Sequence, residues 1–190
     1  MGLRKYNPAE DSNAVLDIWR ACNLSDNSFI GAEYWEGLAG DFASSLASDD
    51  AETTVFEDRS GNIVGFCHVL DGVISGVYVE ESRRGLGLGR QLIENAMASH
   101  PYLEGKAYVQ NQGACMFCNH VGMSFMGIVM EPQTGMMQMH FEWKNPDAAK
   151  PKMKISGQMA EQLEEMRSQM GEKAFNKMMD KLQSGDFDDE

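Results

Sequence analysis

The chain has 190 residues, 43% of them hydrophobic and 24% charged, enough apolar material for one domain with a sizeable core and an appendage, and this excludes wholesale disorder. Sixteen Lys and Arg against 29 Asp and Glu leave a net charge of −13, which opposes nonspecific nucleic-acid binding and, beyond simple solubility, mildly favours cationic substrates such as amines. No apolar run reaches the roughly 18 residues that span a bilayer, the start Met1-Gly2-Leu3-Arg4-Lys5-Tyr6 lacks the core of a signal peptide, and four cysteines are far from a disulfide scaffold, so a cytoplasmic protein with free thiols is expected.

In chain order, Asn7-Pro8 reads as an N-cap with proline in the first turn, and Ala14, Val15, Ile18, Trp19 and Cys22 recur at helical spacing, which predicts a first helix to about Asn23. After Ser25-Asp26-Asn27-Ser28, a second helix over Ala32–Leu46 buries Tyr34, Trp35, Leu38, Phe42 and Leu46. The period then shortens. Thr53–Glu57, the turn Asp58-Arg59-Ser60-Gly61-Asn62 and Ile63–Leu70 predict a hairpin, and Val73–Val79 a third strand. A helix over Arg90 to about Ser99, a short strand over Lys106–Val109, a short helix over Gly113–His120 and a strand over Ser124–Met130 follow. Past Pro132-Gln133-Thr134-Gly135, Met137, Met139, Phe141 and Trp143 alternate with more polar neighbours as a half-buried strand closing the sheet.

Between the third strand and the third helix stands Arg84-Gly85-Leu86-Gly87-Leu88-Gly89. A strand, a bare-backbone turn and a helix start suit an anion, because glycines let consecutive amides approach it and the helix end adds its dipole. A P-loop requires Lys and Ser or Thr after the last glycine, but Arg90-Gln91-Leu92 follow; a Gly-x-Gly-x-x-Gly fingerprint fails from Gly85 and from Gly87 alike. The remaining pattern, Arg or Gln, two residues, Gly, one residue, Gly or Ala, is met by Arg84, Gly87 and Gly89 and resembles the signature of the GNAT acetyltransferases. The stretch from Asn111 through Ala114, Phe117 and Cys118 to Gly122-Met123 resembles that family's second cofactor segment, and Trp19–Tyr34 resembles the first two helices of small bacterial lysine or amine acetyltransferases. The resemblance covers about residues 3–143.

It implies an α/β fold with a twisted, mostly antiparallel sheet splayed to hold acyl-CoA and flanked by helices. Acetyl-CoA is then the acyl donor, with no metal: its pyrophosphate on the amides of Gly85, Leu86, Gly87, Leu88, Gly89 and Arg90, its pantetheine arm against Val77, Tyr78, Val79, Asn111, Ala114 and Phe117. The acceptor amine, a lysine side chain, polyamine or amino sugar, implies a mouth formed by Asn27, Phe29, Tyr34 and His140, with direct attack in a ternary complex. Cys118 stands where the family has the tyrosine that protonates the departing thiolate. Three readings are open: Cys118 is the general acid, solvent or Tyr108 replaces the tyrosine, or the site binds acyl-CoA without fast turnover. Met123 replaces a phenylalanine, a packing change. The lone Cys115-x-x-Cys118 has no second ligand pair for zinc and no thioredoxin-like order, and His68, His100, His120 and His140 offer no clear base.

The partition expected is an acetyltransferase domain at 1–144, a linker at 145–155, a helical appendage at 156–183 and an acidic tail at 184–190. Met159, Leu163, Met166 and Met170 form a stripe that packs on its own domain or offers a homodimer or protein-partner surface. The alternative to an enzyme is a noncatalytic acyl-CoA-binding module whose C-terminal helix recruits a partner.

Overall fold

The first helix starts as its sequence dictates. In the computed structural model, which describes residues 2–146, 167–168 and 171–173, Asn7 Oδ1 accepts from Ala9 N at 3.1 Å and Pro8 opens helix α1, Pro8–Asp26. Just before it lies strand β1, Gly2–Lys5, absent from the sequence expectation because a lone leucine between a glycine and two cations carries no strand pattern. Tertiary pairing makes it a strand: it runs antiparallel to β2, Ala51–Glu57, while the Arg4 guanidinium bonds Asp11 of α1 at 2.6 and 2.9 Å and Glu57 of β2 at 2.6 Å.

Helix α2, Ala32–Leu46, and strands β3, Ile63–Leu70, and β4, Val73–Val79, take the expected bounds. Helix α3, Leu88–Ser99, begins two residues before the expected Arg90, because the chain turns helical directly after Gly87. Strand β5, Tyr102–Tyr108, begins earlier than the expected Lys106, because register with β7 from Tyr102↔Lys144 onward carries it through Gly105. Helix α4, Gln112–His120, and strands β6, Ser124–Met130, and β7, Met137–Lys144, complete the order.

Among the described residues the sheet has seven strands in the order β1-β2-β3-β4-β5-β7-β6, antiparallel throughout except between β4 and β5. Helices cover both faces. On one, α1 and α2 bring Val15, Trp19, Trp35 and Phe42 onto Val55, Phe66 and Tyr108, with Trp19 stacked on Phe42 at 4.8 Å. On the other, Leu92, Ile93 and Met97 of α3 and Cys115 of α4 pack on Cys67, Val69, Leu103 and Phe141. Strand β3 lies under both layers, which is why Ile63–Leu70 reads as a nearly continuous apolar run. The feature that positions a site is the β4–β5 pairing. It holds only at Val73↔Glu104 and Ile74↔Gly105, so from Gly76 to Val79 strand β4 keeps β3 as partner and opens away from β5.

Among the described residues no helix is long and apolar enough to cross a membrane. Apart from Asn145, Pro146, Arg167, Ser168 and Gly171–Lys173, the linker, appendage and acidic tail expected from the sequence lie outside the described residues; Arg167–Ser168 and Glu172–Lys173 are helical.

Candidate active site

The open end of β4, the glycine loop after it and the start of α4 surround one cleft of about 980 Å³. The loop's shape follows from its glycines: Gly85 and Gly87 sit at φ +75° and +79°, left-handed values that side-chain-bearing residues avoid, and Gly87 is the N-cap of α3 without a capping side chain. Among the described residues, no carbonyl or side chain accepts from the N–H groups of Gly85, Leu86, Gly87, Leu88, Gly89 or Arg90; the first intrahelical bond is Gln91 N to Gly87 O at 3.1 Å. Leu88 is buried beneath the loop, and the bare Cα of Gly89 lets the Phe117 ring approach to 3.4 Å of where a Cβ would stand. Consecutive amides at a helix start therefore face the cleft with no internal acceptor, the arrangement that takes phosphate.

The Arg84 side chain is already committed. Its fork bonds both carboxylate oxygens of Asp26 at 2.8 Å, its Nε donates to Val79 O at 3.0 Å, and one nitrogen reaches Cys22 Sγ at 3.3 Å. It ties the loop to the end of α1. Arg90 reaches the His120 carbonyl at 3.3 Å, joining the start of α3 to the end of α4.

Across the cleft, Asn111 caps α4: its Oδ1 accepts from Ala114 N at 3.0 Å while its Nδ2 donates to Asn27 Oδ1 at 3.0 Å. Tyr78 folds back over Gly76, whose missing Cβ would lie 2.1 Å from the ring, and stacks on Phe66 at 5.1 Å. Burial pushes the Tyr78 hydroxyl up to about 12 and the Cys118 thiol up to about 11, so both hold their protons at neutral pH. Burial also pushes Tyr34 upward, reinforced by Tyr108 beside it; its hydroxyl donates to Gln133 Oε1 at 3.4 Å.

Of the residues expected from the sequence, the cleft gathers Val77, Tyr78, Val79, Arg84, Gly85, Gly87, Leu88, Gly89, Arg90, Asn111, Ala114, Phe117, Cys118, Asn27 and Tyr34. Three stand off its wall. Leu86 points outward and is 62% exposed, Phe29 packs edge-on against Tyr108 at 5.8 Å, and His140 pairs with Lys106 and Gly127 inside the sheet. Asn23, Asp26 and Trp35 line the cleft without having been expected. The signal for Asn23 lay in the first helix, where it and Asn27 continue the four-residue step of Val15 and Trp19 along an apolar stripe. A larger concavity of about 1210 Å³ beside α1 is lined by charges that already pair with one another, Arg4 with Asp11 and Glu57 and Arg83 with Asp58.

The family model described as "Acetyltransferase (GNAT) family" matches residues 13–123, more than half of the chain and all of the loop–cleft–α4 constellation. The chain belongs to the GNAT acetyltransferase family. It is an enzyme of the acetyl-transfer class. This GNAT chain is 23% identical over 131 residues to the peptidyl-lysine N-acetyltransferase YiaC of Escherichia coli, covering 68% of itself and 88% of that protein. The solution structure of apo-form YjaB from Escherichia coli superposes with a TM-score of 0.64 at 23% identity, covering 74% of this chain and 95% of that one. An aminoglycoside 6'-N-acetyltransferase complexed with coenzyme A superposes with a TM-score of 0.63 at 10% identity, covering 78% and 100% respectively, and so shares the fold.

Proposed function

We propose that this GNAT enzyme takes its acetyl group from acetyl-CoA and gives it to a primary amine, with a lysine side chain of a peptide or protein as the first class to test. The observation that carries the donor is the row of amides from Gly85 to Arg90 without internal acceptors, opening into a cleft beside an unpaired strand end. These amides suit the pyrophosphate, with the dipole of α3 behind them. The edge of β4 that β5 leaves unpaired at Val77, Tyr78 and Val79, where Arg84 takes the Val79 carbonyl, suits the amide-bearing pantetheine arm with Asn111 opposite, and Ala114 and Phe117 wall it. Arg84 acts by holding the loop against α1 through Asp26. The lysine assignment leans on the name of YiaC and on the acidic balance of the chain, which favours a cationic partner.

When bound, acetyl-CoA supplies a thioester that a neutral amine can attack without an acyl-enzyme. The chain contributes position, dryness and protons. Tyr34, Trp35 and Tyr108 form an aromatic wall on the acceptor side, with Trp35 edge-on to Tyr34 at 5.1 Å and to Tyr108 at 6.4 Å. Burial holds the proton on Cys118 Sγ more tightly than on an ordinary thiol near ~8.5. Giving that proton to a departing thiolate is therefore harder for Cys118 than for an ordinary thiol, and we assign the final protonation to solvent or Tyr108, with Cys118 as wall.

The test is to mix purified protein with acetyl-CoA and a panel of lysine peptides, polyamines and amino sugars and to follow thiol release. Release with lysine peptides above the amine-free background is the expected result. Tight acetyl-CoA binding with no release for any amine overturns the enzymatic reading, and release with amino sugars alone overturns the acceptor.

A further inference from the structure

The expected role of Asn27 at the acceptor mouth meets a different geometry. Asn27 is 9% exposed and Asn23 1% exposed, and both amides lie in a single chain of hydrogen bonds across the splay. At one end Ala114 N–H donates to Asn111 Oδ1 at 3.0 Å; Asn111 Nδ2 then donates to Asn27 Oδ1 at 3.0 Å, and Asn27 Nδ2 to Asn23 Oδ1 at 2.9 Å. At the other end Asn23 Nδ2 donates to the Trp19 carbonyl at 3.0 Å and to Tyr78 Oη at 3.4 Å. A backbone N–H can only donate and a carbonyl can only accept, so the two ends fix the direction of all three side-chain amides. None can flip alone without setting oxygen against oxygen.

The relay spans the place where the sheet does not. Strands β4 and β5 have no ladder beyond Ile74 and Gly105, yet α1, which packs on β3 and β4, is bonded through Asn27 to the N-cap of α4, which packs on β5. We propose that Asn27, with Asn23 behind it, is a positioning residue for the donor: it aims the Asn111 amide and holds the two lips of the cleft at one separation, and it does not contact the acceptor. This rests on the acetyl-CoA reading above.

Asn27→Ala leaves Asn23 Oδ1 without a partner in a buried setting and Asn111 Nδ2 without one in a part-buried setting, a loss on the order of tenfold in any equilibrium that needs them aligned. Three readouts test it. Acetyl-CoA Kd and KM rise about tenfold in Asn27→Ala while the KM for the amine stays within about twofold; an amine KM that rises while the acetyl-CoA Kd stays fixed overturns the proposal in favour of an acceptor contact. In a double-mutant cycle, Asn27→Ala has no further effect on acetyl-CoA Kd once Asn111 is Ala, whereas additive losses show that the two act separately and overturn it. Amide exchange at Ala114 in the ligand-free protein accelerates about tenfold in Asn27→Ala, since the cap loses its support; unchanged exchange overturns it. Because the exchange is read without donor, failure of the unaltered protein to bind acetyl-CoA counts against the donor assignment and leaves the relay decided by Ala114.

Discussion

Cys118 shows how a single position separates binding from chemistry. On α4 it lines the cleft beside Phe117, and burial together with neighbouring Cys115 pushes its thiol up to about 11. A wall residue and a proton donor respond differently to substitution. Cys118→Ala is expected to leave kcat within about threefold, whereas removal of a true general acid costs about a hundredfold or more. Cys118→Tyr, which restores a phenol at the place where the family carries one, is expected to raise kcat and to add a new alkaline limb to its pH profile, the rate falling as the phenol loses its proton. A hundredfold fall in Cys118→Ala across the amine panel returns the general acid to Cys118. The residue type was legible from the chain; its raised thiol was not, because that shift comes from groups packed around it by other elements.

At the scale of elements, the glycine loop and α3 work as one unit. Gly87 at φ +79° has open space around its missing Cβ, so the penalty for substituting it is backbone strain rather than a clash. Gly87→Val is expected to cost about 1–2 kcal/mol in urea unfolding and to weaken acetyl-CoA binding at least tenfold, because the amides turn away when the residue relaxes. Gly87→Asn, which tolerates the left-handed region, is expected to lose less of both. Equal losses for Asn and Val argue against a conformational cause. Elements whose pattern was local, such as Ala32–Leu46, Ile63–Leu70, Val73–Val79 and Ser124–Met130, were readable to the residue. Strand β1 was not, since Gly2–Lys5 becomes a strand only through β2 and the Arg4 pairs with Asp11 and Glu57.

For the whole molecule, the two-sided core makes one titration matter for stability. His68 sits in the interior strand β3 with no exposed surface, its Nδ1 bonded to Thr53 Oγ1 at 2.8 Å and its Nε2 to Ser45 Oγ at 3.2 Å. Burial lowers its pKa below 6.5, so it is neutral in the fold. The unfolded chain takes up a proton near pH 6.5 that the folded chain refuses, so stability present above that value is lost as pH falls below it. The slope approaches about 1.4 kcal/mol per pH unit for one proton. Urea titrations at pH 7.5 and 5.5 are expected to show a larger fall for the unaltered protein than for His68→Gln; equal falls assign the acid sensitivity elsewhere.

What the sequence determined by itself was everything encoded by near neighbours: the helix start at Asn7, the strand periods, the turn chemistry, and the spacing of Arg84, Gly87, Gly89 and Asn111 that marks the donor site. Those signals depend on local backbone preference and on which side chains share a face. The tertiary structure decided how far β4 and β5 part, where Arg84 spends its charge, and that Asn23, Asn27 and Asn111 join in one line. These depend on groups far apart in the chain, up to 84 positions for Asn27 and Asn111. An amide carries no mark of its partner until packing removes the water that would otherwise take its place.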